Sequence, residues 1–237
     1  MQRLMIASAA ALAVASMSFA APVVDGTLDA GYGAPKAVQA VGTSFGNNTD
    51  PSALTANGSE LNAAYGVVEG GILYLQLTGN LQTNFNKLEI FIDSKAGGQN
   101  KLRGDNPNVD FNGLNRMGDD GSGNGLRFDT GFESDYYLTY TGGDTGGQIQ
   151  YFSNFAETNT GGGGAGAFIG GSANNSSLVN GSNGIVLAAD QSNILGVNVL
   201  GSPNDSDPAT VATGMEISIP LSVLGDPTGD IHICAFI

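Results

Sequence analysis

The chain of 237 residues has no tryptophan, one cysteine, one histidine and only eight lysines and arginines. Each shortage removes a class of chemistry. A single thiol, Cys234, cannot form an internal disulfide, and it cannot build a thiolate zinc site or an iron–sulfur cluster, which need several thiolates. A nucleophile–histidine pair would have to use His232, which sits in an alternating apolar run and reads as a strand residue. So few bases against 22 acids give a formal charge of −14. Nucleic acids and anionic lipid surfaces are held by Lys/Arg surfaces, so neither is an expected partner. Long apolar runs are also missing after the first twenty residues, so no membrane span is expected in the remainder.

What is present begins with an export signal. Arg3 is followed by an uncharged stretch from Leu4 to Met17, and Ser18-Phe19-Ala20 places small residues where a signal peptidase reads. The stretch is shorter than the ~20 residues that cross a bilayer. Residues 1–20 are therefore expected to be a cleaved signal peptide. The alternative is an N-terminal helix packed on the core. The expected location is secreted, extracellular or at the cell surface. Residues 21–237 fit a single domain, since sandwiches reach 200–250 residues undivided.

Apolar residues in that domain alternate rather than recur at helical spacing. Leu61–Val68 and Ile72–Thr78 flank Glu69-Gly70-Gly71 and read as a hairpin. Further strands are expected at 37–41, 87–93, 126–128, 135–141, 148–152, 185–189, 215–219 and 231–237, with short helical pieces near Gln191–Gly196 and at Leu221–Leu224. The expected class is all-β: an antiparallel β-sandwich of jelly-roll or immunoglobulin-like topology with long Gly/Asn/Asp-rich loops. Glycines cluster at Gly142–Gly147, Gly161–Gly166 and Gly181–Gly184 and read as connections. The run Asp230–Ile237 alternates like a strand and then stops, which suggests either a truncated C-terminus or a strand serving as the terminus.

The stretch from Asp93 to Asp129 is dense in Asp, Asn and Gly. Calcium prefers carboxylate and amide oxygens separated by tight glycine turns. Asp120-Gly-Ser-Gly-Asn124-Gly125 opens like a calcium loop, but its twelfth position is Gly131 rather than Glu, so an EF-hand is not supported. A structural calcium gathered by Asp93, Asp119, Asp120 and Asp129 is the expectation. The competing reading is a polar loop whose Asx side chains cap its own turns. Glu89, Asp93, Glu133 and Asp135 are acids of the type a glycoside hydrolase uses, but nothing in the sequence pairs them, and no enzyme is expected. Sugar-binding modules stack aromatic rings on pyranoses. Alternation puts Tyr136, Leu138 and Tyr140 on one strand face and Tyr137 with Thr139 on the other, so Tyr137 and Tyr151 are the candidate exposed platforms. The alternative for both is the core.

Four pieces together carry a family resemblance. Val24-Asp25-Gly26-Thr27-Leu28-Asp29, Ile72-Leu73-Tyr74-Leu75-Gln76-Leu77, Leu88-Glu89-Ile90-Phe91-Ile92-Asp93 and Gly214-Met215-Glu216-Ile217-Ser218-Ile219-Pro220-Leu221 occur in that order. In order and character they resemble segments of family 9 carbohydrate-binding modules and the related DOMON sandwiches. The resemblance implies a secreted bacterial sandwich of a type that often carries a Pro-Glu-Pro sorting tail, which this sequence does not contain. The family 9 modules hold sugar with paired tryptophans, so that site does not carry over, and the haem-bearing DOMON proteins use Met and His ligands, for which His232 is the sole histidine here. The expectation is a non-catalytic module for polysaccharide or extracellular matrix, with a structural or adhesive surface protein as the alternative and a glycan hydrolase as a second one.

Overall fold

The computed structural model describes residues 20–39, 58–173, 175–193, 196–197 and 205–237. Apart from Ala20, the expected signal peptide lies outside these residues, as does part of the Gln191–Gly196 stretch; Gln191–Asn193 are not helical. Among the described residues no helix is long and apolar enough to cross a membrane.

Among the described residues thirteen strands run in chain order: β1 (Ala37–Val38), β2 (Glu60–Glu69), β3 (Ile72–Asn80), β4 (Asn84–Asp93), β5 (Tyr136–Asp144), β6 (Ile149–Glu157), β7 (Gly166–Gly171), β8 (Val179–Asn180), β9 (Val186–Ala189), β10 (Gly196–Val197), β11 (Asp205–Ser206), β12 (Gly214–Pro220) and β13 (His232–Phe236). One sheet has the order β1-β2-β3-β12-β9-β8 and the other β13-β4-β5-β6-β7, every pairing antiparallel; β10 and β11 form a separate parallel pair. The fold is an all-β antiparallel sandwich.

Local chemistry accounts for the pairings. Gly70 and Gly71 have φ of 58° and 79°, and Glu69 pairs with Ile72, so the β2–β3 hairpin turns through two left-handed residues as a primed turn requires. On β3, Leu73, Leu75 and Leu77 point inward, on β4 Leu88, Ile90 and Ile92, and on β12 Met215, Ile217 and Ile219; together they form the dry layer between the sheets. The expected strand at Leu126–Phe128 is instead one isolated bridge, Lys101 to Arg127, because the glycine-rich stretches on either side leave too little extended chain to continue it. Leu221–Leu224 is a 3₁₀ turn.

Both outer faces carry a cover of irregular chain. On the first sheet, residues 23–32 lie over Ala63, Tyr65 and Tyr74, with Tyr32 buried among them. Glu216, fully buried on β12, fastens this cover: its carboxylate accepts the amides of Asp25 (2.9 Å) and Gly26 (3.0 Å) and the hydroxyl of Tyr32 (2.8 Å). Gln76 donates to the Gly26 carbonyl. Gly26 has φ +90°, and a Cβ there would lie 2.4 Å from the Asp190 nitrogen, so the approach needs glycine. Three of the four resemblance segments thus meet at one point.

On the second sheet, the Asx-rich segment 94–135 covers one end of the outer face. Leu102, Leu114 and Phe128 from this segment pack on Phe91 of β4, Tyr137 of β5 and Ala156 of β6. Its backbone is held by side chains: Asp135 accepts the amides of Ser94 and Lys95, Asn100 donates to three carbonyls at 128, 129 and 132, and Gln99 donates to Asn106 and the Asn159 carbonyl. This polar density is how a segment with a single helical turn, Leu114–Met117, stays folded.

Candidate binding face

The uncovered end of the second sheet's outer face is the most unusual surface of the molecule. Three phenylalanines are exposed at it or at its rim: Phe85 (54%), Phe111 (86%) and Phe168 (61%). Phe85 stands at a bulge in β4, between the registers of Asn84 and Lys87, with φ +68°. A left-handed backbone is costly for a bulky L-residue, roughly 1–3 kcal/mol. It turns the ring across β5, where it occupies the space a Cβ on Gly143 would take, 2.2 Å from the Phe85 ring. Half-buried Phe152 of β6 leans in the same way on Gly171 of β7, 3.2 Å from a Cβ placed there. Gly143 and Gly171 are two strands and two residues apart in register, roughly 12 Å by strand spacing and rise. The rings therefore span more than one pyranose.

One partly exposed polar side chain, Asn154, lies between the rings, and Thr139 beside it is fully buried. Register runs from Glu89 through Thr139 and Asn154 to Phe168 across β4, β5, β6 and β7. The Asn154 amide donates to the Thr139 hydroxyl. The tip of the covering segment closes the border: Pro107 and Val109 pack over Gly166, and Asp110 and Phe111 follow. Lys87 donates to the Asp110 carboxylate (2.6 Å) and to the Phe111 carbonyl.

The residues expected from the sequence stand elsewhere. Tyr137 is on the expected face, but the covering segment buries it completely, and its hydroxyl donates toward Glu89 and Asp110. Tyr151 points inward, because its register partner Gly142 lies on the core side, and it stacks on Tyr140 at 5.0 Å. Neither offers a ring face to solvent. The four aspartates do not converge. The Asp119 carboxylate is bound by Lys101 and by the amides of Gly121 (2.9 Å) and Gly123 (2.7 Å), and these contacts, Lys101 foremost, hold its pKa down to about 2. Asp120 accepts the Ser122 amide. Asp93 accepts the Glu133 amide and lies 3.7 Å from His232, while Asp129 is beside Cys234. Among the described residues no group of three His, Cys, Asp or Glu side chains is arranged to hold a metal ion. Asp119 and Asp120 act as caps of their own turn, the competing reading of this segment.

A second concavity of about 1100 Å³ runs along the flank between β2 and β13. Its floor is largely aliphatic, from Leu61, Leu73 and Leu75 to Ile231 and Ile233. Four rings reach it: Phe128 and Phe236 pack on Phe91, Phe132 on Phe128, and buried Tyr65 on Tyr32.

The local sequence marks Phe85 and Phe111 but not Phe168. Phe85 and Phe111 stand alone between Asn or Asp neighbours, in Asn-Phe-Asn and Asp-Phe-Asn, rather than in apolar alternation. An isolated aromatic flanked by turn-formers is the signal that could have singled them out. Searched against family models, curated proteins and solved structures, the chain gives no match.

Proposed function

We propose that the chain is an exported, non-catalytic binding module that takes a neutral polysaccharide on the outer face of its second sheet. The observation that carries this reading is the row of Phe85, Phe152, Phe168 and Phe111 on one shallow face, with one ring held there at a backbone cost. Aromatic faces beside the partly exposed Asn154 amide suit the alternating apolar and polar faces of a sugar chain. Charge selects the neutral class. The protein carries −14, and Lys87, the cation that β4–β7 place on this face, is already engaged by Asp110 and the Phe111 carbonyl. An anionic polymer would meet repulsion with no unengaged cation on β4–β7 to offset it. Glu89 and Asp110 are buried against one tyrosine rather than facing each other across a cleft, which supports binding over hydrolysis. The resemblance to carbohydrate-binding sandwiches and the export signal agree with this reading.

The test is native electrophoresis through gels containing hydroxyethyl cellulose, xylan or alginate. Retardation by a neutral polymer and none by alginate is expected, with Phe85→Ala and Phe168→Ala each weakening it about tenfold, a loss of ~1.4 kcal/mol. Free migration in every gel would reject the reading and favour a structural or adhesive role without a sugar site.

A further inference from the structure

Beside the aromatic face is a buried cluster that packing alone does not require. The Tyr137 hydroxyl lies between two carboxylates, donating to Glu89 and standing 3.1 Å from an oxygen of Asp110. Glu89 and Tyr137 are buried, and the Asp110 side chain is 3% exposed. Asp110 belongs to the covering segment and the other two to the sheet, so these contacts cross from cover to sheet. Asp110 also accepts the Leu114 amide (3.2 Å) and the Lys87 ammonium. The charged or titratable groups around Glu89 are Lys87 on its own strand, Tyr137 on β5 and Asp110 on the cover. On the remaining side, β13 places Phe236 opposite it in register.

We propose that Glu89, Tyr137 and Asp110 form a proton-operated latch that holds the 110–111 tip of the covering segment to the second sheet at the rim of the aromatic face. A phenol has one proton and can serve one carboxylate at a time. With Glu89 protonated, its O–H donates to the Tyr137 oxygen and Tyr137 donates to Asp110, so that Asp110 has Tyr137, Lys87 and Leu114 as donors. The Tyr137 hydroxyl is then paired both as donor and as acceptor, and one carboxylate balances one ammonium. With Glu89 ionised, Tyr137 turns its proton to Glu89. Asp110 loses that donor and faces a second buried negative charge across the phenol oxygen. The cover is then held at its tip by Lys87 and the Leu114 amide against like-charge repulsion, and it loosens. Burial raises the Glu89 pKa to about 7, with the Tyr137 hydrogen bond opposing, so the latch changes state near neutrality. The inference rests on the proposed binding face only in giving the latch a consequence: below neutrality the tip that bears Phe111 stays tied to β4 through Lys87, at the rim of that face, and sugar is held more tightly.

The chain has no tryptophan, so Phe111→Trp gives a single reporter at the tip. Its emission is read from pH 5.5 to 8.5 without any ligand. The expected result is a sigmoidal change with a midpoint near 7, absent in Phe111→Trp/Glu89→Gln, where the Gln amide donates permanently to Tyr137 and the docked signal persists. In Phe111→Trp/Tyr137→Phe the undocked signal is expected throughout. A flat reporter profile, or the same transition in the Glu89→Gln background, overturns the latch. If the reporter variants fail to fold, hydrogen exchange of residues 110–114 in the unaltered chain replaces them. Protection falling about tenfold beyond the intrinsic pH effect between pH 6 and 8 supports the latch, and unchanged protection overturns it. Gel retardation by hydroxyethyl cellulose at pH 6 and 8 is read separately. No retardation at either pH with the emission transition intact rejects the binding face and leaves the latch standing.

Discussion

Replacing Glu216 tests whether one buried carboxylate fastens the N-terminal cover to the first sheet. In Glu216→Ala three donors lose their acceptor: the amides of Asp25 and Gly26 and the hydroxyl of Tyr32. The Gly26 and Tyr32 contacts are buried and the Asp25 contact is partly so. Each donor left unsatisfied costs about 1–3 kcal/mol. Removing the carboxylate also removes its own desolvation cost, the effect that raises the Glu216 pKa despite its three donors. The net loss expected is about 3–5 kcal/mol, a large part of the roughly 5–15 kcal/mol that holds a domain together. Tyr32→Phe removes one donor and is expected to cost about 1–2 kcal/mol, and the double variant should lose clearly less than the sum, since the two residues share a bond. The assay is urea unfolding followed by far-ultraviolet circular dichroism, with hydrogen exchange at residues 23–28 as the local readout. A loss below about 1 kcal/mol for Glu216→Ala, or unchanged protection at residues 23–28, would refute the claim that this carboxylate is the fastening.

Gly26→Ala forces a Cβ to 2.4 Å from the Asp190 nitrogen at φ +90°, and should cost roughly 2–4 kcal/mol in the same urea assay. Glu89 sets a pH dependence whose sign is fixed by its raised pKa: the folded state binds a proton that the unfolded chain releases. Stability should therefore fall as pH rises from about 4.5 to about 7, by up to about 3 kcal/mol, and that slope should vanish in Glu89→Gln. Phe85→Asn relieves a left-handed phenylalanine and should leave stability unchanged or raise it by up to ~1 kcal/mol while weakening retention by hydroxyethyl cellulose; destabilisation beyond ~1 kcal/mol would mean that the ring is part of the core. Asp119→Ala should lower the melting temperature equally in calcium and in EDTA, because the side chain caps a turn and pairs with Lys101; a loss confined to calcium buffer would make it a metal ligand.

By itself the sequence determined the class and the strands that make the sandwich. Alternation at Leu73, Leu75, Leu77 and at Leu88, Ile90, Ile92 specifies a dry face at period two, and Gly70-Gly71 specifies the turn between β2 and β3, because these are local properties of side-chain direction and backbone freedom. The sequence also marked 93–129 as the segment unlike the rest, though not its role. Whether an aspartate there holds calcium or caps a turn depends on which amides the folded chain brings within reach, and Asp119 finds Gly121, Gly123 and Lys101. The tyrosines show the same limit. Parity placed Tyr137 on the right face of β5, yet the residues that bury it, Leu102, Leu114 and Phe128, come from a covering segment no local pattern assigns to that face. Phe85 shows it in reverse. Nothing local predicts that its ring lies over Gly143, because a bulge in β4 and a missing side chain on β5 together make that place. Short-range rules decide which face a residue takes; long-range packing alone decides whether that face is covered, and the candidate binding face is what the covers leave open.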